Sequence, residues 1–228
     1  MNGTNSAQRL QLIQKRIKLA CQNYDRLNKI RLIGASKTKP ATVIRELFNL
    51  GLTDFGENYL SEAIAKQSEL ADLGITWHFI GQIQSNKTKQ LAKHFNWIHG
   101  VDRLKIAQRL NEHNSSGNAL NILLQINLDN ESSKSGIKPN EAIILAKQIF
   151  ELPNLSFRGL MALPKPRQSF AEQKACLLKL NSLLADINKE LHVNLDSISA
   201  GMSNDLEAAI AAGTTMVRIG TDLFGARA

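Results

Sequence analysis

The amino-acid sequence predicts an α/β protein that forms a single (β/α)₈ barrel of the TIM type. The chain has 228 residues, a length that a single barrel of this type can account for. Eight short apolar runs are typical of buried strands, and segments with helical periodicity separate them. Because strands that alternate with helices favour a parallel sheet, this pattern predicts a closed barrel. We therefore expect one domain over residues 1–228, since no linker or change in composition divides the chain.

The predicted strands are apolar runs that end in polar or glycine residues. They span residues 30–36, 52–56, 76–80, 97–101, 121–128, 156–163, 195–200 and 216–220. The helices between them carry start and stop signals. These signals are Pro40 and Gly51, Asp102 as an N-cap, Pro139, the long run 169–191, and a capping box at 204–207 whose helix Gly213 closes.

An additional helix is predicted before the first strand. Residues 6–24 carry Leu10, Ile13 and Ile17 at spacings typical of an amphipathic helix. After the last strand the sequence continues only with TDLFGARA, which is too short for a full eighth helix. We therefore expect no full C-terminal helix, and we expect the N-terminal helix to cover the gap.

The composition argues against several classes of protein. Lys and Arg number 28 against 20 Asp and Glu, but they are spread over many helices with acids between them, which does not favour nucleic-acid binding. No stretch approaches the roughly 20 apolar residues of a membrane-spanning helix. Cys21 and Cys176 have no CxxC spacing, and the five histidines show no paired metal-ligand spacing. The sequence predicts a cytoplasmic monomer without a metal site.

Polar residues follow five of the predicted strands. They lie in segments 36–40, 56–59, 78–87, 201–205 and 217–221. In a (β/α)₈ barrel these positions open on one face, where active sites are built. The pattern therefore predicts a functional site on that face.

Lys37 is the predicted reactive residue of this site. A lysine at the end of the first strand can attack an aldehyde, and a Schiff base with pyridoxal 5′-phosphate is a natural use for it. The alternatives are a surface lysine at a loop entrance or a cofactor-free, aldolase-like barrel in which Lys37 attacks a sugar-phosphate carbonyl. Lys39 is a competitor that the sequence pattern does not separate from Lys37.

The phosphate is predicted to bind after the last two strands. Ser203 and Thr221 offer hydroxyls there, and Gly220 lets the backbone approach closely. The alternatives are a simple helix cap at Ser203 and an ordinary tight turn at Gly220 and Thr221. Arg218 should point toward the pocket from the last strand, where its permanent charge would keep a pyridine nitrogen unprotonated. The alternative for Arg218 is a salt bridge with Asp222 or Glu207.

Long motifs in the chain resemble the pyridoxal-phosphate homeostasis protein family, which is similar to the N-terminal barrel of alanine racemase. They include ASKTKP, FGENY, WHFIGQIQSNK, RGLMALP, GMSNDLEAAIAAGTTMVRIG and FGAR, in family order. The resemblance implies that Lys37 carries the cofactor and that Asn58 lies near it. It also implies that Ser203, Gly220 and Thr221 hold the phosphate and that Arg218 lies beside the pyridine ring. The other residues of these motifs are placed only on the pocket wall: Glu57, His78, Met161 and Met202.

Two further expectations follow from the resemblance. Lys134 is expected on a loop after the fifth strand, as a solvated lysine. The alanine racemase relatives carry a second, β-rich domain that supplies a catalytic tyrosine, whereas this sequence ends after the barrel and contains only Tyr24 and Tyr59. The predicted function is therefore a non-catalytic carrier that buffers pyridoxal phosphate, delivers it to apo-enzymes and influences amino-acid and keto-acid balance. The alternative is a pyridoxal-phosphate-dependent racemase or decarboxylase.

Overall fold

Eight parallel strands close into a barrel in which each strand pairs with the next along the chain. The computed structural model describes residues 5–26, 30–131 and 135–225, so Lys134 lies outside the described residues. The strands are β1 (Arg31–Ala35), β2 (Asp54–Glu57), β3 (Thr76–Phe79), β4 (Trp97–Val101), β5 (Leu120–Ile126), β6 (Leu155–Ala162), β7 (Ser197–Ser199) and β8 (Met216–Ile219). Each predicted strand is confirmed, with ends that differ by at most two residues. The pairing of β1 with β8 closes the barrel.

Helices surround the barrel as the sequence predicts. They are α1 (Ser6–Asn23), α2 (Ala41–Asn49), α3 (Leu60–Glu69), α4 (Thr88–His94), α5 (Leu104–His113), α6 (Ala142–Phe150), α7 (Phe170–Leu191), α8 (Leu206–Ala211) and α9 (Thr221–Phe224). Short 3₁₀ turns precede α4 at Ser85–Lys87 and α6 at Pro139–Glu141. None of the described helices combines the length and apolar character needed to cross a bilayer.

Helix α1 covers the gap left by the short α9. Among the described residues, this confirms both the additional N-terminal helix and the lack of a full helix after β8. A capping box starts α1, because Asn5 Oδ1 accepts from the Gln8 amide at 2.9 Å and Gln8 Oε1 accepts from the Asn5 amide at 3.2 Å. Arg16, near the middle of α1, donates to Glu207 at 2.7 Å and to Asp222 at 2.9 Å. The N-terminal helix is thereby fixed to the two segments that follow β7 and β8.

Two predicted helix caps are wrong. The N-cap of α5 is Arg103, because the Asp102 carboxylate accepts from the Arg103 guanidinium at 2.6 Å instead of capping the helix. Residues 204–207 do not form a capping box, since the N-cap of α8 is Asp205 and makes no side-chain cap bond. In both cases an arginine engages the carboxylate, and for Glu207 that arginine is the distant Arg16.

The apolar core lies in two layers. A small cluster fills the barrel interior, and a larger one lies between the strands and the helices. The interior cluster contains Ile33, Trp97, Leu123, Met161 and Met216. Strands β6 and β7 approach so closely that a Cβ on Gly159 would lie 1.9 Å from the Ser197 carbonyl oxygen, and Gly159 has a φ of +149°. Only glycine fits this position without displacing a strand.

Candidate functional site

A cavity of about 540 Å³ opens at the carboxyl ends of the strands and brings together all six predicted site residues. Its lining includes Lys37, Asn58, Ser203, Arg218, Gly220 and Thr221. Lys39 is not a lining residue, and its Nζ lies 3.4 Å from the Gly225 carbonyl oxygen. The structure therefore separates Lys37 from Lys39 by position, which the sequence pattern did not do.

The lining is rich in cationic side chains, two of which the sequence analysis missed. Lys165 and Arg167, from the loop after β6, join Lys37 and Arg218 on the cavity wall. The carboxylates on the wall are Asp205 and Asp222, and Asp222 is already paired with Arg16. The wall thus carries four cationic side chains against two carboxylates, and of the four, Arg167 pairs with Asp129 and Lys165 with Glu131 outside the cavity lining. The remaining charge of Lys37 and Arg218 favours an anionic ligand.

The backbone on both sides of Lys37 is held by one polar network. Lys66, from α3, donates from Nζ to the Ser36 carbonyl oxygen at 2.8 Å and to Glu57 Oε1 at 2.7 Å. It also donates to Glu62 Oε1 at 2.6 Å. Glu62 Oε1 in turn accepts from the Thr38 amide at 2.5 Å. The residues before and after Lys37 are therefore tied to the same ammonium group, directly or through Glu62.

Thr38 shows why such a network is needed. Its φ is +65°, a left-handed conformation that is costly for a β-branched residue. The bond from its amide to Glu62 supports this conformation. Because Thr38 directly follows Lys37, the strained turn helps to set the direction in which the Lys37 side chain leaves the strand.

Glu57 lies beneath this turn, so its prediction as a pocket-wall residue is wrong. Its side chain is fully buried, and Oε1 accepts from Ser36 Oγ at 2.6 Å as well as from Lys66. Burial raises the pKa of Glu57, although the bonds from Lys66 and Ser36 oppose that effect. Sequence reasoning missed Lys66, for which the only available signal was its i, i+4 spacing from Glu62 on one helix.

Of the other three residues predicted on the pocket wall, one lines the cavity and two lie inside the barrel. Met202 lines the cavity as expected. Met161 belongs to the cluster inside the barrel, and His78 is fully buried behind the site, so neither forms its wall. Both point inward from their strands, but at a depth below the mouth where the cavity opens.

Arg218 is buried in the barrel mouth at 4% exposure. Its guanidinium donates to Ser199 Oγ and, at 3.0 Å, to the Ala162 carbonyl oxygen. The alternative of a salt bridge with Asp222 or Glu207 is wrong, because both carboxylates are bound by Arg16. Burial lowers the pKa of Arg218 to about 10, so the side chain is still a cation at neutral pH.

A line of buried polar side chains continues from Ser199 into the barrel. Ser199 Oγ lies 2.9 Å from His99 Nδ1, and His99 Nε2 lies 3.0 Å from His78 Nδ1. His78 Nε2 then lies 2.9 Å from Asp54 Oδ1, near the amino end of β2. Sequence reasoning missed this line because its members come from β2, β3, β4 and β7, and only the closed barrel brings β4 and β7 together across its interior.

Because His78 and His99 are buried, we expect the folded protein to be less stable in acid. Burial lowers the pKa of His78, although Asp54 opposes that effect, and burial lowers the pKa of His99 well below its usual value. An unfolded histidine takes up a proton below about pH 6.5, whereas these two stay neutral in the folded chain. The free energy of unfolding should therefore fall as the pH drops below about 6.5, by up to about 1.4 kcal/mol per pH unit for each imidazole.

Urea unfolding at about pH 7.5 and about pH 5.5 measures this decline. Burial also lowers the pKa of the partly exposed His94, so a His94→Gln variant serves as the control. The variant should keep most of the decline. Equal free energies of unfolding at the two pH values would contradict the assignment of both buried imidazoles as neutral.

The rim of the cavity offers hydroxyls and an unsatisfied acceptor. Ser203 and Thr221 lie on neighbouring segments, after β7 and β8, and Arg16 donates to the Ser203 carbonyl oxygen at 2.9 Å. Asn58 Oδ1 is buried and has no hydrogen-bond partner among the described residues. Because a buried acceptor without a donor is costly, this atom is suited to bind a donor on a ligand.

Comparisons with known proteins identify the relatives of this chain. The family model of the alanine racemase N-terminal domain matches residues 34–228. A pyridoxal phosphate homeostasis protein of Pseudomonas aeruginosa is 56% identical over 199 residues, covering 87% of this chain and 85% of that protein. A protein of the same description from Haemophilus influenzae is 46% identical over 228 residues, covering 98% and 96% of the two chains.

Solved structures show the same fold. PipY of Synechococcus elongatus, solved with pyridoxal phosphate bound, superposes with a TM-score of 0.85 at 34% identity. The match covers 97% of this chain and 100% of PipY. Alanine racemase of Clostridium difficile superposes with a TM-score of 0.71 at 17% identity, covering 93% of this chain but 57% of the racemase. At that identity the second similarity concerns the fold alone.

Proposed function

The chain belongs to the pyridoxal phosphate homeostasis protein family, and from that premise we propose that it binds pyridoxal 5′-phosphate in the Lys37 cavity. Its function is to buffer and deliver the cofactor within the cell rather than to consume a substrate with it. The observation that carries the proposal is the single cavity that gathers Lys37, Arg218 and the two hydroxyls of Ser203 and Thr221.

The residues of the cavity fit this cofactor. Pyridoxal phosphate supplies an aldehyde that a lysine amine captures reversibly as a Schiff base, together with a phosphate dianion and a pyridine nitrogen. Lys37 is the amine that the cavity offers, on a backbone fixed by Lys66 and Glu62. The excess of cations on the wall suits the phosphate, and the unpaired Asn58 Oδ1 can accept from a donor on the cofactor.

The remaining residues have separate roles. Ser203 and Thr221 would donate their hydroxyls to the phosphate, and Gly220 would let the backbone approach it without a side chain in the way. Arg218 would hold the pyridine nitrogen. Because its guanidinium keeps its proton at neutral pH, it would donate to that nitrogen and leave the ring unprotonated. An unprotonated ring is a poor electron sink, which favours storage over chemistry.

The arrangement of tyrosines also supports a carrier. Tyr24 caps the end of α1, and Tyr59 is exposed at the start of α3, so neither lines the cavity. Within the described part of the chain, the cavity wall carries no tyrosine or histidine that could act as a second acid or base opposite Lys37, and its carboxylates and second lysine already have partners: Asp205 with the Met202 amide, Asp222 with Arg16, and Lys165 with Glu131. Two-base racemisation needs such a group. The cytoplasmic location, the monomeric state and the apo-enzymes that receive the cofactor belong to the same proposal.

A racemase or decarboxylase is the second candidate, favoured by the shared fold with alanine racemase. Solvent-deuterium exchange at Cα of alanine separates the two functions, measured by mass spectrometry on the pyridoxal-phosphate-loaded protein. We expect exchange no faster than with a Lys37→Ala variant plus free cofactor. Racemisation or exchange on the order of 1–10³ s⁻¹, as enzymes show, would replace the carrier by the second candidate.

A further inference from the structure

The line of buried polar side chains lies behind Arg218, inside the barrel. It connects Arg218, Ser199, His99, His78 and Asp54 by side-chain hydrogen bonds. Ser199, His99 and His78 are fully buried, and the Asp54 side chain is 16% exposed. Burying this many polar groups is costly unless all are satisfied.

The two ends of the line fix the direction of each hydrogen bond. Arg218 has donors only, so Ser199 Oγ must accept from it. At the other end Asp54 is ionised: burial is the largest single effect and acts to raise its pKa, but the bonds from His78 and Thr53 and the nearby charge of Arg31 together leave the pKa below its usual value. An ionised Asp54 accepts only, and His78 therefore donates from Nε2.

Only one assignment of donors and acceptors is then possible for the hydrogen bonds in the middle of the line. A neutral His78 that donates from Nε2 accepts at Nδ1, so His99 donates from Nε2. His99 in turn accepts at Nδ1, which leaves Ser199 to donate its hydroxyl proton there. All hydrogen bonds point from Arg218 toward Asp54, and both imidazoles are in the Nε2–H form.

We propose that Ser199, His99, His78 and Asp54 are positioning residues that hold the Arg218 guanidinium in one orientation in the cavity. The guanidinium is tied through Nη1 to Ser199 and through Nη2 to Ala162, so its plane cannot turn without breaking the line. Its other N–H groups are left for a ligand. The proposal rests on the proposed function, since the group to be met there is the ring of pyridoxal phosphate.

The first test uses the protein without cofactor. Long-range ¹H–¹⁵N correlation spectra of ¹⁵N-histidine-labelled protein at neutral pH report which ring nitrogen carries the proton. We expect His78 and His99 both to be neutral and protonated at Nε2. An imidazolium, or protonation at Nδ1 in either ring, would overturn the one-way line. Because no cofactor is present, this result does not depend on the proposed function.

The second test breaks the line at one atom. Ser199→Ala removes the hydroxyl that joins Arg218 to His99, and Ser199→Thr restores a hydroxyl. Ser197→Ala is the matched control, because Ser197 lies in the same strand, is buried and bonds to Asp196 outside the line. Pyridoxal phosphate is titrated into each variant, and its affinity and the absorption maximum of the bound cofactor are measured.

We expect Ser199→Ala to lower the affinity about tenfold and to shift the absorption maximum, because the ring nitrogen loses a fixed donor. Ser199→Thr should restore both, and Ser197→Ala should leave both as in the wild type. A merely structural role would lower the melting temperature without moving the absorption maximum. An unchanged maximum and affinity in Ser199→Ala, or equal changes in Ser197→Ala, would overturn the positioning role.

Failure of this proposal and failure of the proposed function give different results. A wild-type protein that binds no pyridoxal phosphate contradicts the proposed function, and the histidine spectra still decide whether the line exists. A wild type that binds the cofactor, together with an unaffected Ser199→Ala variant, contradicts only the positioning role. Circular dichroism confirms that each variant is folded. Should Ser199→Ala not fold, the spectra of the wild type decide the proposal alone.

Discussion

The double variant Ser203→Ala with Thr221→Val should bind pyridoxal phosphate more weakly by about 3–6 kcal/mol, if the two hydroxyls act independently. In the proposed site each hydroxyl would donate to a phosphate dianion, and hydrogen bonds to charged groups contribute more than neutral ones. The fold should persist, because Arg16 holds the loop after β7 through the Ser203 carbonyl oxygen, which the substitution leaves in place. Retention of the cofactor during dialysis and titration calorimetry measure the loss.

Pyridoxal without its phosphate is the control ligand. The double variant should bind pyridoxal as well as the wild type does, since the hydroxyls act on the phosphate alone. An equal loss for both ligands would show that the two residues stabilise the cavity instead. Unchanged affinity for the phosphorylated cofactor would contradict the phosphate site.

Replacing Lys66 with Met should lower the free energy of unfolding by about 3–5 kcal/mol, as for other broken buried ion pairs. Lys66 is 7% exposed and is bonded to Glu57, which is fully buried. Its loss leaves that carboxylate without its cationic partner, in addition to Glu57 Oε2, which already has no partner among the described residues. Urea unfolding of the cofactor-free protein measures the effect.

The surface pair of Lys147 and Glu190 provides a matched control. Its N–O distance of 2.6 Å is like that of Lys66 and Glu62, but about half of each side chain is exposed. Lys147→Met should therefore change the stability little. Lys66→Met combined with Glu57→Gln should recover part of the loss, because no unpaired charge then remains at Glu57. If Lys66→Met destabilises no more than Lys147→Met, the network does not hold the Lys37 turn as described.

The strands and the rim of the cavity could be predicted from the sequence because their signals are local. Each strand is a short apolar run, Lys37 and Ser203 come shortly after such runs, and Arg218 lies in the last one. In a parallel barrel the ends of all strands meet on one face, so position along the chain is enough to place these residues together.

The interior of the site could not be predicted in this way. Lys66 reaches the Lys37 turn from α3, and the line from Asp54 to Arg218 depends on a contact between β4 and β7 across the barrel interior. The capping box at 204–207 failed for the same reason, since Arg16, far along the chain, binds Glu207. In each case the side chain is positioned by a partner that is distant in the sequence, and a local sequence pattern holds no information about that partner.

Borohydride reduction of the pyridoxal-phosphate-loaded protein, followed by peptide mapping, identifies the lysine that holds the cofactor. Reduction fixes the cofactor to the amine that holds it. Lys37→Ala should abolish the label, and Lys39→Ala, the matched lysine variant outside the cavity, should keep it. We expect the pyridoxyl group on Lys37. A label confined to Lys39, Lys134 or any other lysine would contradict it.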